Sequence, residues 1–354
     1  MSTAGSPHVD LLLLSLGGSR GAKHADRQFV ELAREAGASV EVVGTRVGAV
    51  GRLALGYPAN AIAEALAARR ALDAAMKRFS PRAVVFTSST AALLAEDWSV
   101  PFTVWLDAPL ALSQPGWRNR PIHVWERRRL AKARFVLARS DDAAAALPSG
   151  SAPAILFPPP VELPSPRTMR SDPVVVAYAA DPAASGLELI CRAWQHVRTP
   201  RARLIVTGIS ENAARGYLMR HRIREPPPQL ELKGWLPRTE FSDLLAQARV
   251  FLTASAWESY GTVALEALAH GAVIAAAPAE GPFPALVIAR QLAPRFIAPD
   301  RSPAAVALAL DEALRASAPE LAGYQNAVRD HLRPYRERIL VKRLREEVLP
   351  ALLD

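Results

Sequence analysis

The sequence predicts an α/β protein of two doubly wound domains that face each other across a cleft. Short apolar runs alternate with amphipathic segments along the chain, which is typical of βαβ units and mainly parallel sheets. This alternation stops once, at residues 157–167, where five of eleven residues are proline, and then starts again. Such a segment sustains neither a helix nor a central strand, so it predicts a linker between two domains.

The elements of the first domain follow from the spacing of its apolar residues. A buried strand is predicted at 9–16 and an amphipathic helix at 22–36. The remaining predicted elements are strands at 39–43, 83–87, 102–106 and 134–138 and an alanine-rich helix near 59–79. We therefore place an N-terminal domain at 1–157 and the linker at 158–168.

The second domain, 169–330, repeats the alternation. Its predicted elements are strands at 174–180, 203–208, 250–255 and 272–278 and helices at 186–197, 240–248 and 262–271. Because ligands of doubly wound domains gather at the carboxyl ends of the strands, the cleft is the expected site.

The last segment, 331–354, has apolar residues at a spacing of four, which predicts an amphipathic helix packed on the N-terminal domain. These residues are Leu340, Leu344, Val348 and Leu352. A helix on a membrane surface is the alternative, and it is disfavoured because the polar face mixes Glu with Arg.

Composition limits the class of protein. The chain has 354 residues, a net charge of +9 and one cysteine, Cys191, which excludes an internal disulfide. The positive charge fits an anionic ligand or surface, or simply an arginine-rich composition. Basic residues concentrate only in WERRRLAKAR (125–134), and no zinc-finger or RNA-binding signature accompanies them, so no nucleic-acid partner is expected. Without a signal peptide or spanning segment, we expect a cytoplasmic protein, with peripheral contact to the inner face of the membrane as a further option.

The turn GGSRG follows the first predicted strand and is typical of a phosphate-binding loop. It resembles the start of short-chain dehydrogenases, which hold a nicotinamide dinucleotide there. Lys23, however, stands where that fingerprint needs a third small residue, and no tyrosine is followed four positions later by lysine. The sequence therefore disfavours an oxidoreductase.

A second constellation lies in the window 255–286. Glu258 precedes Glu266 by eight positions, and between them a predicted strand ends and a helix begins. The amides of 259–262 would then lie at a helix N-terminus, a position that suits an anion or sugar hydroxyls. Glu266 stands among apolar residues and needs polar partners, such as the two hydroxyls of a ribose. From these residues alone, a capping Glu258 and a surface-facing Glu266 are the alternative.

This window resembles the E-x7-E region of retaining GT-B glycosyltransferases of family 4, known as group 1. The positions that fit that family's pattern are 258, 259, 261, 265, 266, 267, 269 and 271. Similarity extends to the segments 229–255, 155–163 and 15–44, in the family's order. The resemblance implies two Rossmann-like domains, with the acceptor on the N-terminal domain and the donor on the C-terminal one.

The resemblance also implies an activity and its residues. The expected reaction moves a sugar from a UDP- or GDP-linked donor, with retention at the anomeric carbon and with neither cofactor nor metal, and the sequence has no D-x-D motif. Glu258 would contact the donor sugar and Glu266 the donor ribose. The further donor-binding positions would be Gly17, Gly18, Trp235, Ser259, Tyr260, Gly261 and Thr262.

Two departures from the family pattern stand out. The Arg and Lys that usually neutralise the leaving diphosphate are replaced near Ala180 and Ser185, a costly loss of positive charge. Arg20 and Lys23 of the glycine turn are candidates to replace them.

The second departure lies at the end of the predicted strand 102–106. Leu106 stands where many relatives have histidine, and Asp107 follows it. Asp107 is a candidate catalytic residue that would orient a sugar, with a simple turn-forming role as the alternative.

Three function classes remain open. A transferase would act on an unidentified glycan, lipid-linked or small-molecule acceptor. A sugar-nucleotide epimerase or hydrolase would share the fold without an acceptor. A catalytically weakened sugar-nucleotide-binding protein would explain the missing Arg and Lys.

Overall fold

The computed structural model describes residues 7–18, 20–45, 56–95, 99–164 and 173–354. The chain divides into two compact units. The N-terminal unit comprises Met1–Pro160 and Tyr335–Asp354, and the C-terminal unit comprises Val161–Pro334. Residues 165–168 of the predicted linker lie outside the described residues.

Six parallel strands form the sheet of the N-terminal unit. They are β1 (His8–Ser15), β2 (Val40–Gly44), β3 (Ser80–Phe86), β4 (Phe102–Leu106), β5 (Phe135–Ala138) and β6 (Ala154–Leu156). Their order is β2-β1-β3-β4-β5-β6. Because this order reverses between β1 and β3, the crevice beyond their carboxyl ends is the expected position for a ligand.

The helices of this unit cover both faces of the sheet. They are α1 (Arg20–Glu35), α2 (Ala59–Arg78), α3 (Ser89–Ala92), α4 (Leu110–Ser113), α5 (Arg120–Lys132) and α6 (Asp141–Ala145). Leu11 and Leu13 of β1 pack with α1, whereas Leu12 and Leu14 pack with α2. This double burial explains why β1 is a continuous apolar run rather than an alternating one.

The C-terminal unit has a five-stranded parallel sheet. Its strands are β7 (Val174–Tyr178), β8 (Arg203–Thr207), β9 (Leu230–Gly234), β10 (Val250–Thr253) and β11 (Val273–Ala276). The order β11-β10-β7-β8-β9 is that of a Rossmann sheet. Its reversal lies between β7 and β10.

Seven helices of the described chain accompany this sheet. They are α7 (Leu187–Trp194), α8 (Glu211–Arg220), α9 (Arg238–Gln247), α10 (Thr262–Ala269), α11 (Pro284–Leu292), α12 (Pro303–Arg315) and α13 (Ala318–His331). In the described parts of both units, no helix is long and apolar enough to cross a bilayer.

The C-terminal segment returns to the N-terminal unit as α14 (Glu337–Arg343), a π-helical turn (Leu344–Val348) and α15 (Leu349–Leu353). Its four apolar residues at the spacing of four are at most 1% exposed and share a core with Trp105 and Phe29. The alternative of a membrane-surface helix here is therefore wrong, because the apolar face is buried within the protein.

Candidate functional site

The window predicted to carry chemistry lies at the point where the strand order of the C-terminal unit reverses. After β10 ends at Thr253, the chain runs through a loop to Gly261 and enters α10. The first amides that donate within this helix are those of Ala264 and Leu265, and the Gly261 carbonyl accepts both hydrogen bonds. The amides of Thr262 and Val263 thus point out of the helix start, where the helix dipole favours an anion.

Gly261 is required by its surroundings. Its φ is +71°, and a Cβ there would lie 2.2 Å from Cε2 of Phe283. A side chain would thus be strained in the backbone and would also clash with an aromatic ring. The glycine lets the helix start lie directly on Phe283.

A second glycine fixes the loop that carries Glu258. Gly281 has a φ of +93°, and a Cβ there would lie 2.5 Å from the Glu258 carbonyl oxygen. The Glu258 amide donates to the Glu280 carbonyl (3.0 Å), and the Glu280 amide donates to the Ala256 carbonyl (2.9 Å). Residues 280–283 therefore hold the half-buried Glu258 in place by backbone pairing.

Arg301 joins the same two loops, and it is not among the residues predicted from the sequence. Its guanidinium donates to the carbonyls of Ala254 (2.7 Å), Ser255 (2.9 Å) and Pro278 (2.7 Å). These carbonyls follow β10 and β11, so one cation satisfies the acceptors at two adjacent strand ends. Arg301 lies 43 positions after Glu258, and no local pattern marks it.

Glu266 faces inward, not outward. It is 8% exposed, and Nη1 of Arg238 donates to its Oε1 over 2.6 Å. Burial raises the pKa of Glu266, the adjacent Arg238 opposes that shift, and Glu162 adds to it. A carboxylate in this position binds hydroxyls strongly because few waters compete. Arg238, at the first position of α9, is a second residue that was not predicted from the sequence.

Aromatic side chains line the carboxyl end of β7. Trp235 is partly exposed and lies edge-on to Tyr178, with ring centroids 6.4 Å apart. Gly208, with a φ of +92°, makes room for the Tyr178 ring, since a Cβ there would lie 2.7 Å from it. The predicted Trp235 thus has an aromatic partner, Tyr178, which was not predicted from the sequence.

The turn after β7 is made without cations. Asp181 accepts hydrogen bonds from the amides of Ala183 (3.0 Å) and Ala184 (3.1 Å). Gly186, with a φ of +68°, then approaches the Ala254 carbonyl so closely that a Cβ would lie 2.2 Å from its oxygen. Ala180 and Ser185 lie in this turn, so it contributes no positive charge to the carboxyl edge.

In the N-terminal unit, the glycine turn follows β1. Gly17 has a φ of +58°, and a Cβ there would lie 3.2 Å from Cε of Lys23. A Cβ on Gly18 would meet nothing within 4 Å, so only Gly17 is restricted to glycine by the backbone. Lys23 is the cation found beside this turn, whereas Ser19 and the side chain of Arg20 lie outside the described part of the chain.

A buried polar cluster supports the same edge. Asp26 of α1 is 5% exposed and accepts a hydrogen bond from Ser15 Oγ at the end of β1. Arg139, at the end of β5, stacks 4.1 Å over the Trp105 ring and donates to the Thr87 carbonyl. Burial raises the pKa of Asp26, while Ser15 and the charge of Arg139 oppose the shift. The position of Asp26 on the apolar face of α1, between Ala25 and Phe29, is the sequence signal that could have revealed it.

Asp107 follows β4 and is half-buried, and its Oδ1 accepts a hydrogen bond from the Ala108 amide (3.1 Å). This contact fits the turn-forming role. Its position at the carboxyl end of a strand next to β3 also fits the ligand-orienting role.

A protein-family model matches the C-terminal unit, the one that carries Glu258 and Glu266. Residues 172–316 match the family model described as Glycosyl transferases group 1. A comparison with curated protein sequences finds no match.

Three solved structures illustrate the similarity in fold. Sucrose-phosphate synthase from Thermosynechococcus elongatus is 15% identical, with a TM-score of 0.74 over 95% of this chain and 97% of that one. HepE of Anabaena, in complex with UDP and glucose, is 15% identical, with a TM-score of 0.67 over 96% and 99%. An α,α-trehalose-phosphate synthase (UDP-forming) from Burkholderia xenovorans, in complex with glucose 6-phosphate, is 13% identical, with a TM-score of 0.70 over 96% and 100%.

These findings confirm the predicted fold of two Rossmann-like domains. They also confirm the resemblance to the glycosyltransferases within the residues that the family model covers. Residues 172–316 resemble the group 1 glycosyl transferases, and the chain as a whole shares the two-domain GT-B fold of these solved structures.

Proposed function

We propose that the protein transfers a sugar from a nucleotide-sugar donor to an acceptor hydroxyl, with retention of anomeric configuration and without a metal ion. The observation that carries this proposal is the arrangement at the reversal of the C-terminal sheet. There, a glycine-capped helix start lies between Glu258 and the buried Glu266. This arrangement falls within the residues that match the glycosyltransferase model.

Each part of this edge suits one part of the donor. The amides of Ser259, Tyr260, Gly261 and Thr262 suit the diphosphate and the sugar hydroxyls, because they lie at a helix N-terminus. Glu266 takes the ribose hydroxyls, with Arg238 orienting its carboxylate through a hydrogen bond. Trp235 with Tyr178 offers an aromatic surface for the base.

Charge develops on the diphosphate as the bond from its oxygen to the anomeric carbon breaks. The oxygen of the acceptor hydroxyl forms the new bond on the same face of the sugar, and its proton passes to the departing diphosphate oxygen. The helix start of α10 stabilises this charge without reorganisation, because Gly261 and Gly281 fix its position. Glu258, fixed by the backbone of Glu280, binds the sugar hydroxyls and orients the reacting carbon.

The assignments in the N-terminal unit rest on the family resemblance. Gly17, Gly18 and Arg20 would contribute to the diphosphate site, and Asp107 would orient a sugar. Lys23, which lies beside Gly17, is a further candidate for diphosphate contact. We place the acceptor on this unit.

A UDP-linked donor is the first choice. HepE was crystallised with UDP and glucose, and the Burkholderia synthase is named as UDP-forming. A GDP-linked donor is the alternative to be tested beside it. The neighbours' names also favour a sugar or sugar-phosphate acceptor.

A second candidate function is a sugar-nucleotide-binding protein with little turnover. The observation that favours it is the turn after β7, where Ala180 and Ser185 replace the two cations of the family pattern. Loss of such charges costs several kcal/mol of transition-state stabilisation.

One experiment separates the candidates. The protein is incubated with UDP- and GDP-sugars, with and without sugar and sugar-phosphate acceptors, while thermal stability and nucleotide release are followed. The transferase requires acceptor-dependent nucleotide release that persists in EDTA, with a product of the donor's anomeric configuration by NMR. Stabilisation without turnover supports the binding protein, and acceptor-independent release supports a hydrolase. No stabilisation by any nucleotide would contradict the assignment of the site.

A further inference from the structure

The N-terminal unit carries a basic, tryptophan-bearing surface that the proposed function does not use. It consists of a 3₁₀ turn at Trp117–Asn119 and the outward face of α5. We call it the α5 surface and define it by Trp117, Arg120, Val124, Trp125, Arg127 and Arg128, all of which are exposed.

The apolar members of this surface are unusually accessible. Trp117 is 73% exposed, Val124 46% and Trp125 36%. Leu112, on the preceding turn, adds a further exposed aliphatic side chain. Clustered exposed apolar side chains of this size mark an interaction surface more often than a solvated one.

The charge of this segment has one sign. Residues 117–134 contain seven Lys or Arg and one acid, Glu126. Glu126 is fully buried on the opposite side of α5 from Val124. The outward face of the helix thus presents cations beside indole and aliphatic groups.

Glu126 also explains why the surface is fixed. Both of its carboxylate oxygens accept a hydrogen bond from the Leu110 amide at 2.9 Å. This contact fixes α5 to the segment that follows β4. This segment begins at Asp107, the candidate sugar-orienting residue. The α5 surface therefore lies on the element that neighbours the proposed acceptor side of the unit.

A groove with the character of an amphiphile site runs beside the helix. It has a volume of about 750 Å³, and Leu93, Leu94, Trp125 and Arg128 are among the residues that line it. A lining that combines apolar and cationic side chains suits a molecule with an anionic head and an apolar body.

We propose that the α5 surface docks the protein on a membrane that contains anionic lipids. Indole rings and aliphatic side chains insert at the boundary between headgroups and acyl chains. Arginines on the same face bind anionic headgroups. A nucleic acid would satisfy the arginines, but it offers no apolar phase for Val124 and Leu112. This proposal is independent of the sugar-transfer reaction, because it concerns association alone.

The test is flotation of the full chain with vesicles. Flotation is expected with a mixture of phosphatidylcholine and phosphatidylglycerol, far less with phosphatidylcholine alone, and it should weaken as salt increases. Combining Arg120→Glu, Arg127→Glu and Arg128→Glu should reduce vesicle affinity by about a hundredfold or more, at about fivefold for each removed cation. Trp117→Ser with Val124→Ser should reduce it by about tenfold, and Trp117→Ser should remove part of the quenching of tryptophan fluorescence by brominated lipid.

The controls are exposed residues of the C-terminal unit. Arg224→Glu changes the same charge elsewhere, and Leu308→Ser removes an apolar side chain that is 62% exposed. Both should float like the parent. Circular dichroism and stabilisation by nucleotide should be unchanged in the α5 variants, which separates loss of docking from loss of fold or of the donor site.

Two results would overturn the proposal. One is failure of the parent to float with anionic vesicles, or equal flotation of parent and α5 variants. The other is variant-sensitive binding of a single-stranded oligonucleotide with no binding to vesicles, which would assign the surface to nucleic acid instead.

Discussion

The carboxyl edge of the C-terminal sheet is shaped mainly by backbone, whereas that of the N-terminal sheet is shaped by buried side chains. In the C-terminal unit, Gly261 and Gly281 allow close approaches that no other residue permits, and Arg301 clamps three carbonyls. In the N-terminal unit, Asp26 and Arg139 lie beneath a turn in which Gly18 has open space around it. The C-terminal edge therefore requires glycine at positions 261 and 281, whereas the N-terminal turn requires it at Gly17 and accepts a side chain at Gly18.

The largest expected effect is the loss of stability and turnover on replacing a glycine of the C-terminal edge, compared with a glycine of the N-terminal edge. Gly261→Ala should destabilise the protein by about 2 kcal/mol or more and reduce turnover at least tenfold, because the new Cβ meets Phe283 at a positive φ. Gly18→Ala should change the free energy of unfolding by less than about 0.5 kcal/mol. Chemical denaturation and steady-state kinetics measure both.

A matched control for this pair is Gly323→Ala in α13, where a Cβ would meet nothing within 4 Å. It should stabilise the protein by about 0.5–1 kcal/mol, as expected of alanine within a helix. If Gly261→Ala were as stable as this control, the conclusion that close backbone approach shapes the C-terminal edge would be wrong.

The next prediction concerns the two glutamates of the C-terminal edge, one expected to affect nucleotide binding and the other turnover. Glu266→Ala should weaken nucleotide binding by about 10- to 100-fold, since it removes a charge-assisted hydrogen-bond acceptor. Glu258→Ala should mainly lower kcat, because it contacts the sugar in this proposal. Calorimetric titration with nucleotide and steady-state kinetics distinguish the two. Glu211→Ala, at an exposed glutamate that pairs along its helix with Arg215, is the control and should leave both quantities unchanged.

A smaller effect tests Arg301 as a positioning residue. Arg301→Ala should reduce kcat more than it changes nucleotide affinity, and it should cost about 1–2 kcal/mol of stability, because the loop with Glu258 loses its clamp. Arg301→Lys should recover part of the stability but less of the turnover, since an ammonium cannot span three carbonyls in one plane. Arg215→Ala serves as the control. Equal loss of affinity and kcat would argue against a positioning role.

The smallest effect compares the two buried acids through pH. Burial raises the pKa of both Asp26 and Glu266. Each acid therefore stabilises the folded state most below its ordinary pKa, 3.8 for Asp and 4.5 for Glu, and this contribution is lost as pH rises through the folded-state value.

Asp26→Asn and Glu266→Gln remove this dependence. Relative to the parent, each variant should become more stable as pH rises from about 4 towards neutrality. Thermal denaturation across this range measures the difference. A difference that stays constant with pH, or that changes in the opposite direction, would contradict the direction of the shifts.

The elements that depend on local pattern could be predicted from the sequence. In each case the residues that form the feature also carry the signal for it. The LLLL run predicts β1, the proline-rich segment predicts the division into two units, and the glycine before α10 predicts a helix that begins at Thr262. The predicted ends of elements differ from the observed ones by a few residues. For example, the strand predicted at 174–180 is observed at Val174–Tyr178.

The parts that depend on distant contacts could not be predicted. Arg238 meets Glu266 across 28 positions, and Arg301 reaches Ser255 across 46. Nothing near either arginine in the chain distinguishes it from the other arginines of this arginine-rich sequence. Only the buried face of α1 carried a usable signal, since Asp26 interrupts an otherwise apolar stripe.

A crystal structure with UDP or GDP would show directly whether the carboxyl edge of the C-terminal sheet binds the nucleotide of a nucleotide sugar. We expect the diphosphate at the amides of Gly261 and Thr262, with the ribose hydroxyls on Glu266. Nucleotide bound elsewhere, or a dinucleotide held at the glycine turn after β1 alone, would contradict it.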